Sequence, residues 1–184
     1  GDNTVTIVIT LDEGDPYLFG NINFIGNTKY TNEELLNQLG IDSGDVFNQS
    51  ILDARLFGSQ EGNDISSLYL DDGYLFFNAT PVEVSTNNNY IDLEIRLYEG
   101  NQARINKVSV KGNTKTQDHV IMRELRTKPG DLFKRSDIMR SQRELAQMQY
   151  FDPEAFDVKI DPKPARNEVD ITYIVSEKSS DQIQ

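Results

Sequence analysis

The sequence predicts an α+β fold built from two tandem β-α-α-β-β modules, each placing three strands and two helices in two layers. Three observations predict it. Residues 22–29 (INFIGNTK) align with residues 108–115 (VSVKGNTK), an internal repeat at an offset of 86. At the same offset Leu35 and Leu39 fall on Ile121 and Leu125, and 44–47 (GDVF) falls on 130–133 (GDLF). One strand type closes successive units: 3–14 (NTVTIVITLDEG) falls on 89–100 (NYIDLEIRLYEG), and 168–177 (EVDITYIVSE) is a third relative. Such a period marks tandem units that each carry a small core. Residues 1–14 then read as the closing strand of a preceding repeat, 15–100 and 101–178 as the two repeats, and 179–184 as a linker.

Each repeat opens on an alternating strand, 21–25 or 107–111. Gly26 and Gly112 turn the chain with a positive φ, helped by the Asn that follows. Thr31 with Glu34 forms a capping box for the first helix, and in the second repeat Thr116 is followed by Asp118 at the positive end of the helix dipole. Leu35, Leu36 and Leu39, or Val120, Ile121 and Leu125, recur at helical spacing and are expected in the core. Gly44 or Gly130 ends that region, and Phe47 and Phe133 are expected as equivalent core anchors of the inter-helix loop. A second helix follows, with Ile138, Leu145 and Met148 as its stripe in the second repeat. A Tyr-containing step leads to a hairpin, 76–85 with 90–98 or 155–160 with 168–176. The first repeat carries extra residues at 57–67, where Gly58, Gly62 and Asn63 should interrupt the second helix; this predicts a surface loop.

The chain has 184 residues, 37% of them hydrophobic, enough for two small cores. No run approaches the ~20 apolar residues of a membrane-spanning helix, and no signal peptide is visible, so the chain reads as a mature or excised segment. It has no Cys, which excludes disulfides and leaves the compartment open. Residues 1–100 hold three basic residues (Lys29, Arg55, Arg96) against seventeen acidic ones, a balance of −14; residues 101–184 hold fifteen basic and thirteen acidic, +2. So acidic a first half argues against nucleic acid as a ligand.

Nothing in the sequence assembles a catalytic, cofactor or metal site. His119 is the only histidine and has no nucleophile motif or second ligand near it. Asp71-Asp72-Gly73 and Asp12-Glu13-Gly14-Asp15 lack the spaced oxygens and closing Glu of a calcium loop and read as turns. Gly-Asn-Thr-Lys lacks the flanks of a phosphate loop. The sequence therefore reads as a binding and scaffolding segment, without enzymatic activity; a small hydrolase is the remote alternative.

A strand, Gly-Asn-Thr, a helix, Pro129-Gly130-Asp131-Leu132-Phe133, a helix ending near Tyr150-Phe151 and a hairpin together resemble the POTRA module, as found in BamA-type outer-membrane protein assembly factors. The stretch 120–131 (VIMRELRTKPGD) is most similar to the repeat nearest the barrel, and 177–184 (EKSSDQIQ) resembles the entry into a first barrel strand. The resemblance covers essentially the whole chain. It implies a mixed three-stranded sheet on two helices. It also implies residence at the periplasmic face of the outer membrane of a Gram-negative bacterium, and a covalently attached barrel. The implied partners are unfolded outer-membrane proteins, accessory assembly lipoproteins and chaperones. In some relatives an acidic residue precedes the inter-helix Gly and touches an accessory lipoprotein; here Pro129 stands there, so that contact does not carry over. A POTRA pair from a different barrel-type secretion or translocation transporter is the alternative.

Two surfaces are candidates for binding. A mixed sheet ending in a hairpin leaves an edge on which extended polypeptide can add as a strand. The candidate edges are Pro81, Val82, Glu83, Val84 and Ser85, and Phe156, Asp157, Val158, Lys159 and Ile160. The opposing reading is that Glu83, Asp157 and Lys159 discourage pairing there. A basic run, Arg123, Arg126, Lys128, Lys134, Arg135, Arg140 and Arg143, is the candidate contact for an acidic partner or anionic headgroups, against the alternative of a solvated helix face.

Overall fold

The computed structural model describes residues 7–9, 14–58 and 62–178. The first module runs β1 (Leu18–Ile25), α1 (Asn32–Leu39), α2 (Gln49–Phe57), α3 (Ile65–Leu70), β2 (Asn78–Asn87) and β3 (Tyr90–Tyr98). The second runs β4 (Arg104–Lys111), α4 (Asp118–Met122), α5 (Arg135–Gln147), β5 (Asp157–Lys163) and β6 (Glu168–Ile174). Each module has its own mixed sheet, ordered β1-β3-β2 and β4-β6-β5. The helices carry the chain back so that the last strand lies parallel to the first, and the hairpin adds the third strand antiparallel. Phe24 and Pro81 flank Ile95 in one sheet as Val110 and Val158 flank Tyr173 in the other.

Local chemistry explains the elements. Thr31 Oγ1 accepts from the Glu34 N–H (3.2 Å) while the Thr31 N–H donates to Glu34 Oε2 (2.8 Å), a reciprocal cap on α1. Gly26 and Gly112 both sit at φ +91°, and a Cβ at either would collide with the carbonyl of Leu97 or Val175 on the neighbouring strand. Leu35, Leu39, Leu52, Leu56 and Ile95 fill the first core; Ile121, Phe133, Leu145, Phe151 and Tyr173 fill the second.

Four details differ from the sequence expectations. Phe47 and Phe133 are not equivalent anchors: Phe133 is fully buried, whereas Phe47 is half-buried and tilted against Phe19 at 4.8 Å. The segment 57–67 is not simply a surface loop. Asp64 caps α3, accepting from the Ser67 N–H (2.9 Å) and hydroxyl (2.7 Å), and Ile65, Ser66 and Ser67 are buried. An N-cap Asp with Ile65 and Tyr69 one turn apart makes this a short amphipathic helix. Helix α4 starts at the position equivalent to the start of α1 but ends three residues earlier, at Met122, and the buried Leu125 lies beyond its end. Strands β1 and β4 each begin three residues before the predicted start. Most of the predicted closing strand at 1–14, and the linker at 179–184, lie outside the described residues.

The two modules meet in a bonded junction. The Ala103 N–H donates to the Gly73 carbonyl (2.8 Å), Gln102 Nε2 to the Asp72 carbonyl (2.8 Å), and the Ser136 N–H to Asp71 Oδ1 (2.8 Å). An Arg135 guanidinium nitrogen donates to Ser67 Oγ at 3.1 Å. Leu70, Leu75 and Phe76 of the first module pack on the second core. Gly73, at φ +85°, lies against Leu132 so closely that any side chain would collide with it. The Asp71-Asp72-Gly73 turn predicted from the sequence is thus the first module's contribution to this contact.

Candidate polypeptide-binding edges

Each sheet has two outer strands, but among the described residues only one edge of each is open along its length. On β1, the Phe19 N–H donates to the Asp45 carbonyl (2.8 Å), the Gly44 N–H to the Phe19 carbonyl (2.8 Å), and the Phe47 N–H to the Tyr17 carbonyl (2.8 Å). The inter-helix loop therefore covers the start of that edge. The second module repeats this with Ile105 to Asp131 (2.8 Å), Gly130 to Ile105 (2.7 Å) and Phe133 to Ala103 (2.9 Å). The open edges are β2 and β5, the first strand of each hairpin, and they contain the two candidate segments except Phe156, which precedes β5.

The open edges differ in detail. Strand β2 is ten residues long and its register shifts between Glu83 and Ser85, which makes Val84 a bulge. Ser85 Oγ donates to Asp92 Oδ2 (2.6 Å). Strand β5 is seven residues long and unbroken in register. Phe156 precedes it, half-buried and tilted against Phe151 at 6.2 Å. Along β5, Asp157, Lys159 and Ile160 are exposed, Val158 is half-buried, and the Val158 N–H donates to Asp157 Oδ1 (2.8 Å).

The basic run does not form one face. Arg123 pairs with Glu124 (2.9 Å), and Arg126 grips both oxygens of Glu144, the closest contact being 2.6 Å. That guanidinium holds the Glu144 carboxyl below its ordinary range. Arg135, Arg140 and Arg143 line a cleft at the module junction together with Ser67, Asp71 and Met139. Lys128 and Lys134 are exposed. His119 is exposed as well, and no group of His, Cys, Asp or Glu suited to a metal ion occurs among the described residues.

A pair of carboxylate clamps escaped the sequence reading. Glu99 accepts from the Thr28 N–H (2.8 Å), Thr28 Oγ1 (2.5 Å), the Lys29 N–H (3.0 Å) and the Tyr69 hydroxyl (2.9 Å). Glu177 accepts from Thr114 Oγ1 (2.8 Å) and the N–H groups of Lys115 (2.9 Å) and Thr116 (2.7 Å). Burial opposes the charge on Glu177, but the Thr116 N–H, the Thr114 and Thr116 hydroxyls and the Lys115 N–H outweigh it and bring its pKa down to about 2. Each clamp ties the Gly-Asn-Thr turn to the closing strand. The available signal was the Glu that recurs at the end of each closing segment.

The family model POTRA, described as "Surface antigen variable number repeat", matches residues 17–100 and 103–178. The chain is 29% identical over 181 residues to the outer membrane protein assembly factor BamA of Nitratidesulfovibrio vulgaris, covering 97% of this chain and 22% of the relative. The chain thus spans about a fifth of the length of the curated relatives it matches. Two solved structures share the fold. Haemophilus influenzae BamA POTRA3-5 superposes with a TM-score of 0.73 at 22% identity, over 88% of this chain and 61% of that one. Haemophilus ducreyi BamA lacking POTRA domains 1-3 gives 0.69 at 20% identity, over 89% and 30%.

Proposed function

The chain belongs to the POTRA family, which is non-enzymatic, and on that premise we propose that it is a scaffold within a BamA-type outer-membrane protein assembly factor. It works at the periplasmic face of the outer membrane of a Gram-negative bacterium, beside a barrel carried by the same polypeptide. It receives unfolded outer-membrane proteins as added strands at β2 and β5 and meets accessory lipoproteins and chaperones through its remaining surface. The cleft of Arg135, Arg140 and Arg143 is the surface offered to an acidic partner or to anionic headgroups.

The observation that carries this reading is the open edge of β5. Backbone pairing at an edge is nearly blind to side chains, as a handler of many clients requires. The test is binding of a labelled, extended outer-membrane strand of about ten residues. Ile160→Pro removes an outward N–H at a position where an edge strand tolerates proline. Loss of binding in a variant that still melts cooperatively is the expected result. Unchanged binding excludes β5 and moves attention to the arginine cleft.

A further inference from the structure

The free edge of β5 offers fewer donors than its length suggests. The Val175 N–H donates to the Lys111 carbonyl of β4 (2.9 Å). Backbone groups alternate in direction along a strand, so Val169, Ile171 and Tyr173 also turn theirs toward β4. Their partners on β5, Pro162, Ile160 and Val158, therefore turn their own N–H and carbonyl groups outward. Pro162 has no N–H, and its tolerance here fits an outward position. The Val158 N–H is held by Asp157 Oδ1 at 2.8 Å. Ile160 alone has an outward N–H without a partner among the described residues, between three outward carbonyls. In the first module the Leu18 N–H donates to the Asn89 carbonyl, which sets the same alternation through β3. Ile95 there turns toward β1, and its other neighbour, Pro81, faces outward at the position that corresponds to Val158. Both modules thus withhold the same donor, one by proline and the other by a side chain that can rotate away.

Resting on the strand-addition reading above, we propose that Asp157 is a latch on the edge of the second module. An incoming strand pairs first with Ile160 and extends toward the start of β5 only by displacing the Asp157 carboxylate from the Val158 N–H. The ligand is an extended polypeptide strand, and the latch sets both its register and the length of its pairing. The edge of the first module cannot extend in this way, because Pro81 has nothing to release.

The test uses the whole chain and a fluorescent ten-residue outer-membrane strand, read by anisotropy. Asp157→Ala tightens binding about threefold or more, the gain expected from one added net hydrogen bond. Asp157→Asn keeps an acceptor oxygen, loses the charge and stays near the parent. Pro81→Val, which restores an outward N–H, gains affinity at the first module, located by amide shifts in β2. Equal gains from Asp157→Ala and Asp157→Asn mean that charge rather than the hydrogen bond is limiting, and they overturn the latch. No gain from Asp157→Ala, with binding still lost in Ile160→Pro, overturns the latch and leaves the edge reading intact. Binding indifferent to Ile160→Pro excludes β5 as the binding edge and overturns the latch with it. Thermal melts of each variant confirm that it is folded.

Discussion

Phe47 and Phe133 occupy the same step of the same loop, two residues after Gly-Asp, and they meet different fates. The second is 1% exposed and the first is half-buried beside an exposed Val46. The difference comes from outside the repeat unit. Leu70, Leu75 and Phe76 of the first module cover the second core, and Leu132 seats on Gly73. Nothing among the described residues covers the first module in the same way. One repeat sequence thus yields two environments, and its neighbours decide which positions carry stability.

The comparison can be broken by truncation. Phe133→Ala should cost about 3–5 kcal/mol, the range for a buried aromatic, and Phe47→Ala about half of that or less in denaturant melts. Equal losses would mean that the junction adds nothing to Phe133. Gly73→Val should cost about 1–3 kcal/mol from backbone strain alone, before its side chain displaces Leu132. It should also split a shared thermal transition into two. A single unshifted transition would show that the modules were never coupled there.

The carboxylate clamps sharpen the comparison through pH. Glu177 titrates near 2 when folded, below its ordinary 4.5. The stability it lends is complete above about 4.5 and is lost as pH falls toward 2. Burial opposes the charge on Glu99 too, but hydrogen bonds from Thr28, Lys29 and Tyr69 lower its pKa in the same direction. Melts between pH 7 and pH 2.5 should therefore fall for both modules, and Glu177→Gln should flatten the fall for the second. An unchanged acid slope in that variant would remove Glu177 from the account. The smallest effect belongs to the exposed Arg126–Glu144 pair. Arg126→Met should lower the melting temperature only slightly, and that loss should vanish in high salt.

Much of this fold is legible in the sequence because its determinants are local. The Thr31–Glu34 cap, the turn glycines Gly26 and Gly112, and the alternation in β3 and β6 each depend on neighbours within a few residues. What was missed depends on distance in the chain. Glu99 reaches back some seventy residues to Thr28, and Asp71 reaches Ser136 in the other module. The helix at Ile65 was hidden by the Gly and Asn before it, whose breaking tendency is real but ends at the Asp64 cap. The candidate edges were legible as alternating strands. Which of their N–H groups are free was not, because that follows from the pairing direction of β3 and β6.

The cap on α5 also bears on the order in which the chain folds. Lys134 supplies no side-chain cap to that helix, and the Ser136 N–H is taken by Asp71. The acceptor that completes the helix of the later module thus belongs to the earlier one. In a chain that emerges N-terminus first, Asp71 and the Gly73 carbonyl precede Ala103 and Ser136. If the first module templates the second, residues 101–178 alone should refold more slowly than the same residues do within the whole chain, as read by stopped-flow fluorescence.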